Sequence, residues 1–253
     1  MHPYLTVDPP IVIAHRGGPE AATENSDAAF ARSVGLGVRY LESDIRTTSD
    51  GIPILHHDAD LTRAAHFGAK VEDVTWGEVS RIELPDGGRI MRLDEALTSW
   101  PGIRWNLDVK DDRSVDPTVD ALLRARALDR VCLASFSRAR LRRLRAALGP
   151  EAATSATWQE ALTLLGVPGG SRIWRRTWKQ RPDRPVAIQM PPTARGVPLL
   201  TQRSVAAAHA LGLHVHAWTI NDETQMGDLL DIGVDGLVTD RPSAALEVLR
   251  SRT

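Results

Sequence analysis

The chain has 253 residues, 42% of them hydrophobic, which is enough for one sizeable core and close to the usual length of a single α/β barrel. Its 31 lysines and arginines nearly balance 32 aspartates and glutamates, so a formal charge of −1 gives no support to a nucleic-acid or anionic-membrane surface. No apolar run approaches the ~20 residues of a membrane helix, the start lacks signal-peptide features, and the single Cys132 cannot form an intramolecular disulfide, so we expect a cytoplasmic protein.

Short β-rich runs alternate with longer helical patterns along the whole chain. The predicted strands cover residues 11–15, 40–46, 52–57, 104–110, 131–136, 152–157, 186–190, 214–220 and 236–239. The predicted helices cover residues 26–35, 93–100, 117–127, 138–148, 159–165, 202–211, 223–232 and 243–250. Such alternation predicts parallel βαβ units, and about eight of them suit a closed barrel better than an open sheet. The expected fold is therefore an α/β protein with a single (β/α)8 barrel of the TIM type.

Two stretches interrupt this alternation. The turn ThrThrSerAspGly at residues 47–51 leads straight into the next strand, without a crossover helix. Residues 58–92 are polar and rich in glycine and charge, so we interpret them as a small insertion after the second strand region, with a short helix near residues 76–82. Residues 166–184 form a second irregular loop. No repeat or inter-domain linker stands out, so residues 1–253 are predicted to be one domain.

In a barrel of this type, functional groups lie where strands end and loops begin. Polar residues fill these positions on five predicted strands: His15 and Arg16; Glu42 and Asp44; His56, His57 and Asp58; Asp108 and Lys110; His214, His216 and Trp218. Residues two apart on a strand share a face, so Glu42 and Asp44 point the same way. Together with Asp108 they would form an all-oxygen site for Mg²⁺ or Ca²⁺. The alternative is an internal network of ion pairs, because charges at the ends of buried strands must be compensated.

The same residues resemble the motifs of the glycerophosphodiester phosphodiesterase family, which belongs to the TIM-barrel superfamily of phosphatidylinositol phosphodiesterases. The matching segments are HisArgGly at 15–17, GluAsn at 24–25, GluSerAsp at 42–44, ThrSerAspGly at 48–51, HisAsp at 57–58, TrpThrIleAsn at 218–221 and GlyLeuValThrAsp at 236–240. Each segment is short, but the set keeps its order along nearly the whole chain. The resemblance implies hydrolysis of a small-molecule glycerophosphodiester to glycerol 3-phosphate and an alcohol, with no nucleic-acid partner.

Carried over position by position, the resemblance implies that His15 and His57 are the acid–base pair. An imidazole can accept or donate a proton near neutral pH. Spacing alone does not choose between His57 and its neighbour His56, and the HisAsp motif favours His57. Arg16 and Lys110 would face the phosphate and neutralise charge on its oxygens. The nucleophile, water or the neighbouring glycerol hydroxyl with a cyclic phosphate formed first, stays open.

Glu42 and Asp44 match the family's ligands for one divalent cation, with Mg²⁺ or Ca²⁺ expected. The third ligand of the family is the glutamate of a Glu-x-Lys motif, whereas this chain has Asp108 before Val109 and Lys110. Aspartate is one methylene shorter, so Asp108 would bind the ion through water or draw it toward its own strand. The resemblance therefore predicts metal use, and leaves the affinity and the choice of cation open.

Three further residues are candidates for substrate contact or for support of the site. Glu24 is expected beside Arg16, Trp218 on the glycerol side of the pocket, and Gln189 at the barrel mouth. The alternative for Trp218 is a packed residue of the barrel. Helix capping is an alternative role for Asn25, which lies where the first helix begins, and Asp240 is predicted to cap a helix. His214 and His216 are predicted to belong to the core or the pocket wall.

Two other functions remain as alternatives. One is a lysophospholipase D-like enzyme, which an apolar mouth around residues 173–178 would favour, although secreted toxins of that group have disulfides and a signal peptide. The other is a barrel that binds phosphodiesters without turnover, for which Asp108 is the only hint in the motifs. The sequence carries no signal for the leaving alcohol or for an oligomeric state.

Overall fold

The computed structural model describes residues 2–166, 181 and 183–252. Its strands are β1 (Ile11–Ala14), β2 (Tyr40–Thr47), β3 (Pro53–Leu55), β4 (Asp60–Leu61), β5 (Phe67–Lys70), β6 (Arg104–Val109), β7 (Val131–Ala134), β8 (Ala153–Thr154), β9 (Ala187–Met190), β10 (Thr193–Ala194), β11 (Val197–Pro198), β12 (His214–Ala217) and β13 (Gly236–Thr239). Its α-helices are α1 (Asp27–Gly35), α2 (Thr62–Ala65), α3 (Trp76–Val79), α4 (Leu93–Ser99), α5 (Val115–Arg124), α6 (Arg138–Leu148), α7 (Trp158–Gly166), α8 (Gln202–Ala210), α9 (Glu223–Asp231) and α10 (Pro242–Arg250).

Eight parallel strands form the predicted barrel. They follow the order β8-β7-β6-β2-β1-β13-β12-β9, and a parallel bridge between Ser155 and Ala187 joins the two ends of this series. Because all eight run in the same direction, their carboxyl ends meet at one rim. The (β/α)8 fold predicted from the alternation of elements is confirmed.

The register between β2 and β6 sets the depth of the functional groups in the barrel. Glu42 lies opposite Asn106, and Asp44 lies opposite Asp108. Because side chains alternate along a strand, this register brings the two aspartates to the same face and level. It therefore places the three predicted metal ligands on two neighbouring strands.

The chain between residues 47 and 92 adds structure beside the second strand of the barrel. β3 pairs antiparallel with β2 directly after the turn, as the missing crossover helix predicted. The following residues form the β4–β5 hairpin, α2 and α3 over a separate apolar cluster that includes Ile54, Leu61 and Val79. The hairpin and α2 were not predicted, since their two- to four-residue elements are too short to show a period.

Apolar side chains fill the amino-terminal half of the barrel. Ile11 and Ile13 of β1 pack there with Tyr40, and Tyr4 from the segment before β1 joins them. Tyr40 Oη donates a hydrogen bond to the carbonyl oxygen of Tyr4 at 2.7 Å. Cys132 belongs to the same cluster, and burial raises the pKa of its thiol, which fits the predicted structural role.

Element ends differ from prediction by a few residues. β12 ends at Ala217, whereas the pattern predicted a strand to residue 220, and α5 covers Val115–Arg124 where residues 117–127 were expected. Most of the irregular loop predicted at residues 166–184 lies outside the described residues. Within the described residues, no helix combines the length and the apolar character needed to cross a bilayer.

Candidate active site

The carboxyl ends of the strands surround an open cavity of about 290 Å³. Nine of the ten predicted site residues line it: His15, Arg16, Glu42, Asp44, His57, Asp108, Lys110, Gln189 and Trp218. The tenth, Glu24, lies behind Arg16 and accepts a hydrogen bond from its Nη1 at 3.0 Å. The barrel therefore brings together side chains from positions 15 to 218 of the chain.

A tight turn after β1 presents the first two of these residues. Arg16 has a φ of 50° and Gly17 a φ of 86°, both in the left-handed region. A Cβ on Gly17 would lie 2.9 Å from Cβ of Ala29, so a larger residue would push α1 away. The turn also directs the Arg16 backbone N–H at Oε2 of Glu42, 2.8 Å away. Backbone geometry therefore requires the glycine of the HisArgGly motif.

His15 is held by a carboxylate that was predicted to cap a helix. Its Nδ1 donates to Oδ1 of Asp240 at 2.6 Å, and its Nε2 lies 3.9 Å from Oε2 of Glu42. Burial opposes the charged ring, but Glu42 and the hydrogen bond to Asp240 outweigh it and raise the pKa of His15. The capping role predicted for Asp240 is wrong, because Arg241 occupies the N-cap of α10 while Asp240 also accepts from Asn221 Nδ2 at 2.7 Å.

His57 has a matching arrangement on the other side of the cavity. Its Nδ1 donates to Oδ1 of Asp58 at 2.7 Å. His56 points away from the cavity and is buried, with its Nε2 2.8 Å from the carbonyl oxygen of Asp60, because neighbouring residues in extended chain face opposite sides. Burial of Asp58 is outweighed by the hydrogen bonds from Arg63 and His57, which lower the pKa of Asp58 to about 2. Of the two neighbouring histidines, the structure therefore places His57 at the cavity.

The three predicted metal ligands form the floor of the cavity with Lys110. The Nζ atom of Lys110 lies 2.7 Å from Oδ1 of Asp44 and 2.7 Å from Oδ2 of Asp108. Burial and repulsion from Asp44 raise the pKa of Glu42 to about 7. For Asp44, burial is outweighed by Lys110 and Arg16, so its pKa is lowered. The charged form is therefore favoured for Asp44 and disfavoured for its neighbour Glu42.

Asn25 supports this floor through Asp44 without lining the cavity itself. Its Nδ2 donates to Oδ2 of Asp44 at 3.0 Å, and its Oδ1 accepts from the Ser43 hydroxyl at 2.6 Å. The capping role considered for Asn25 is wrong, because Ser26 is the N-cap of α1 and accepts from the backbone N–H of Ala29. Asn25 has a φ of 55°, in the left-handed region that asparagine adopts more readily than most residues.

The surroundings of the three carboxylates fit a hard divalent cation by their chemistry. Asp108 Oδ1 is buried and has no hydrogen-bond partner, and burial together with repulsion from Asp44 raises the pKa of Glu42, which disfavours its charged form. A cation bound by carboxylate oxygens would relieve both. Among residues 2–166, 181 and 183–252, no three His, Cys, Asp or Glu side chains already converge as a metal-holding group. Lys110 supplies the positive charge between Asp44 and Asp108 instead.

Part of the cavity lining is apolar and aromatic. Phe136 follows β7, and its ring packs edge-on against Trp218 with centroids 6.0 Å apart. The same ring lies 5.8 Å from Nζ of Lys110, although 69% of Phe136 is exposed. Gln189, predicted at the mouth, lines the cavity and donates to Oδ1 of Asn106 at 3.0 Å. The sequence pattern does not indicate Phe136 as a site residue, because it places Phe136 at the end of an apolar predicted strand.

His214 and His216 fit the predicted core or wall positions. His216 is fully buried, its Nδ1 lies 3.2 Å from Nε2 of Gln189, and its ring packs edge-on against that of His214 at 6.1 Å. Both rings therefore support the wall below Gln189. Fold and site together define a TIM-barrel enzyme suited to acid–base chemistry on an anionic substrate.

Comparison with known proteins assigns the family. Residues 15–244 match the glycerophosphoryl diester phosphodiesterase family. A Mycobacterium tuberculosis protein named "Probable glycerophosphodiester phosphodiesterase 2" is 36% identical over 96% of this chain and 91% of its own length. A glycerophosphodiester phosphodiesterase of Caldanaerobacter subterraneus is 24% identical over 95% of this chain and 98% of its own. The chain belongs to the glycerophosphoryl diester phosphodiesterase family, as its ordered motifs predicted, and is a phosphoric diester hydrolase.

Solved structures share the fold over nearly the whole chain. A phosphodiesterase from Oleispira antarctica, in complex with the product sn-glycerol-3-phosphate, gives a TM-score of 0.78 at 24% identity and covers 96% of this chain and 97% of its own. A glycerophosphodiester phosphodiesterase from Agrobacterium tumefaciens gives 0.76 at 21% identity, covering 95% of this chain and 99% of its own. At these identities the likeness concerns the barrel architecture.

Proposed function

We propose that this enzyme hydrolyses glycerophosphodiesters to glycerol 3-phosphate and an alcohol, with His15 and His57 as the acid–base pair. The observation that carries the proposal is that the two histidines have the same hydrogen-bond arrangement at one cavity. Each donates Nδ1 to an aspartate, to Asp240 at 2.6 Å and to Asp58 at 2.7 Å, while both rings line one cavity. This arrangement leaves Nε2 of each ring as the atom that exchanges a proton with substrate.

The proposed reaction cleaves the bond between phosphorus and the oxygen of the leaving alcohol. One histidine takes the proton of the nucleophile, which is water or the neighbouring glycerol hydroxyl, and the other gives a proton to the leaving oxygen. Arg16 and Lys110 neutralise charge on the non-bridging phosphate oxygens. If the glycerol hydroxyl attacks first, water then opens the cyclic phosphate with the two histidines in exchanged roles. Either route ends in glycerol 3-phosphate.

We further propose that Glu42, Asp44 and Asp108 hold one Mg²⁺ or Ca²⁺ ion. The buried, unpartnered Oδ1 of Asp108 and the raised pKa of Glu42 support this assignment. When bound, the ion supplies positive charge to the phosphate oxygens. The residues of the chain contribute independently of it, since Asn25 keeps Asp44 in place and the Arg16 backbone N–H fixes Glu42.

The named relatives support the choice of substrate. Both bacterial relatives are named as glycerophosphodiester phosphodiesterases, and the Oleispira antarctica structure was obtained with sn-glycerol-3-phosphate as product. We infer that the polar floor of the cavity binds the glycerophosphate half of the substrate, because Arg16 and Lys110 offer positive charge to the phosphate oxygens and a cation held by the three carboxylates would add more.

A second candidate is lysophospholipase D activity. The exposed Phe136 at the rim, packed on Trp218, offers an apolar surface beside the polar floor. A mouse lysophospholipase D is 22% identical over 94% of this chain and 86% of its own length. The apolar mouth considered at residues 173–178 lies outside the described residues.

The first experiment is to measure glycerol 3-phosphate release from a panel of glycerophosphodiesters and lysophospholipids. Each assay is run after EDTA treatment and again with Mg²⁺, Ca²⁺ or Mn²⁺ restored. We expect release from small diesters that returns with a divalent cation and falls at least about 100-fold in His15→Ala and His57→Ala. Wild-type levels of hydrolysis in either folded variant would refute the acid–base assignment. Binding without turnover at every metal concentration would favour a non-catalytic barrel.

A further inference from the structure

Arg63 connects the two halves of the proposed machinery from outside the cavity. It lies in α2, within the segment at residues 58–92, and does not line the cavity. Its Nε donates to Oδ2 of Asp58 at 2.6 Å. Its two terminal nitrogens donate to both carboxylate oxygens of Glu24, Nη2 to Oε1 at 2.6 Å and Nη1 to Oε2 at 3.0 Å. One guanidinium therefore binds two carboxylates on different loops.

Each of these carboxylates holds a residue of the cavity by its other contacts. Asp58 accepts from Nδ1 of His57 at 2.7 Å through the oxygen that Arg63 does not use. Glu24 accepts from Nη1 of Arg16 at 3.0 Å. The result is a continuous series of charge-assisted hydrogen bonds from His57 through Asp58, Arg63 and Glu24 to Arg16. It joins a proton-transferring ring to a phosphate-facing guanidinium.

The positive charge of Arg63 compensates the two negative charges in this series of hydrogen bonds. Asp58 and Glu24 are both anionic, and without the guanidinium they would repel across the space that it fills. The side chains of Glu24 and Asp58 are 16% and 27% exposed, so water replaces the lost partner only in part. Arg63 itself is 52% exposed, which shows that the fold does not depend on its burial. Its contacts serve the two carboxylates more than the core.

We propose that Arg63 is a positioning residue. Through Asp58 it holds the imidazole ring of His57, and through Glu24 it holds the guanidinium of Arg16, so that the two groups keep a fixed relative geometry. The inference rests on the proposed function, because it takes His57 and Arg16 as the groups that meet the substrate. It also gives the segment at residues 58–92 a direct part in the site. A guanidinium suits this task since its planar fork fixes two directions at once, which an ammonium group does not.

The test compares Arg63→Ala and Arg63→Lys with the wild type in steady-state hydrolysis of a glycerophosphodiester. We expect Arg63→Ala to lower kcat by about 10-fold to 100-fold, the scale of a small misplacement of catalytic groups. KM should rise several-fold because Arg16 loses its support. Arg63→Lys should recover only part of kcat. Thermal unfolding of each variant checks that the loss does not come from unfolding.

Arg89→Ala is the matched control. Arg89 belongs to the same segment and is 48% exposed; it pairs with Asp27 and, in a bidentate contact, with Glu95, and neither carboxylate lines the cavity. This variant should keep kcat and KM within about twofold of wild type, as expected for an exposed ion pair. A similar loss in both arginine variants would assign the effect to the stability of the segment and overturn the proposal.

A double-mutant cycle tests the connection itself. Asp58→Asn and Glu24→Gln should be non-additive in kcat/KM when Arg63 is present, because either change breaks the same series, and additive in the Arg63→Ala background. Independent effects in both backgrounds would refute the link.

A binding measurement with glycerol 3-phosphate tests the role of Arg63 separately from the proposed function. If the wild type released no glycerol 3-phosphate, the proposed function would fail. Affinity for glycerol 3-phosphate, measured by calorimetry, would then decide the inference. Affinity several-fold weaker in Arg63→Ala but not in Arg89→Ala supports the role of Arg63, whereas equal affinities refute it.

Discussion

The Nδ1 atom of His15 lies 2.6 Å from Oδ1 of Asp240, although the two residues are 225 positions apart in the chain. The contact follows from barrel closure. β1 and β13 are parallel neighbours in which Ala14 pairs with Thr239, so the next residue of each strand emerges at the same point of the rim. The last strand of the barrel therefore supplies the carboxylate that orients a histidine from the first.

Asp240→Asn should slow catalysis with little effect on substrate affinity. The amide keeps the shape but loses the charge that supports a protonated His15, and it can hold the ring in the wrong tautomer. We expect kcat to fall by about 10-fold to 100-fold, with KM nearly unchanged. Steady-state kinetics checks this, with Asp235→Asn as control, because Asp235 pairs with His209 away from the cavity at 2.8 Å. Unchanged kcat in folded Asp240→Asn would contradict the role.

Asp108→Asn should weaken the apparent affinity for the divalent cation. The change removes one of three proposed anionic ligands and leaves Lys110 paired with Asp44 alone. The ion concentration for half-maximal activity should rise by about 10-fold or more. Titration of EDTA-treated protein, by activity and by calorimetry, measures it. Asp112→Asn, which alters an exposed partner of Arg140, should behave as wild type. An unchanged cation requirement in Asp108→Asn would remove Asp108 from the proposed ligands.

Phe136→Ala should affect substrates with an apolar alcohol more than those with a small polar one. Loss of the ring removes the edge-on contact with Trp218 and exposes that side of the rim. We expect KM for lysophospholipids to rise by about 3-fold to 10-fold, the scale of one aromatic contact. Kinetics across the panel decides this, with the exposed Phe67→Ala as control. Equal changes for all substrates would argue against an apolar subsite at Phe136.

His216 should make the fold less stable as the pH falls below neutrality. Burial, with a smaller effect of His214, lowers the pKa of His216 from 6.5 to about 3. Between these values the unfolded chain binds a proton that the folded protein does not, so the stability present above pH 6.5 is progressively lost on acidification. The cost is at most about 1.4 kcal/mol per pH unit.

Denaturant unfolding at pH 7, 6 and 5 would measure this loss. His216→Gln should show a shallower decline than the wild type, since glutamine does not titrate. His66→Asn, a change at an exposed histidine, should follow the wild type. Parallel declines in His216→Gln and the wild type would show that other groups determine the pH dependence.

The positions of the carboxylates in the floor of the cavity could be predicted from the geometry of single strands and of parallel neighbours. Glu42 and Asp44 share a face because side chains alternate along a strand, and Asp108 reaches the same rim because parallel strands end together. The alternation of strands and helices was sufficient to predict the barrel. The order of the short motifs along the chain identified the family, and this identification needed no knowledge of which residues are in contact.

Contacts between loops were not predictable in this way. Asp240 and Asn25 both stand beside helix starts, where capping is the usual role, and only the barrel shows that they face His15 and Asp44. Arg63 was hidden for a similar reason, since it belongs to a four-residue helix in a polar segment without periodicity.

The sequence by itself therefore determined the fold class, the family and the strand-end residues of the cavity, because strand periodicity and residue type act over a few positions. Tertiary structure decided that Asp240 orients His15 and that the charge of Lys110 lies between Asp44 and Asp108. These choices depend on register and on barrel closure, which bring together residues as far apart as 15 and 240, and no local pattern encodes that distance.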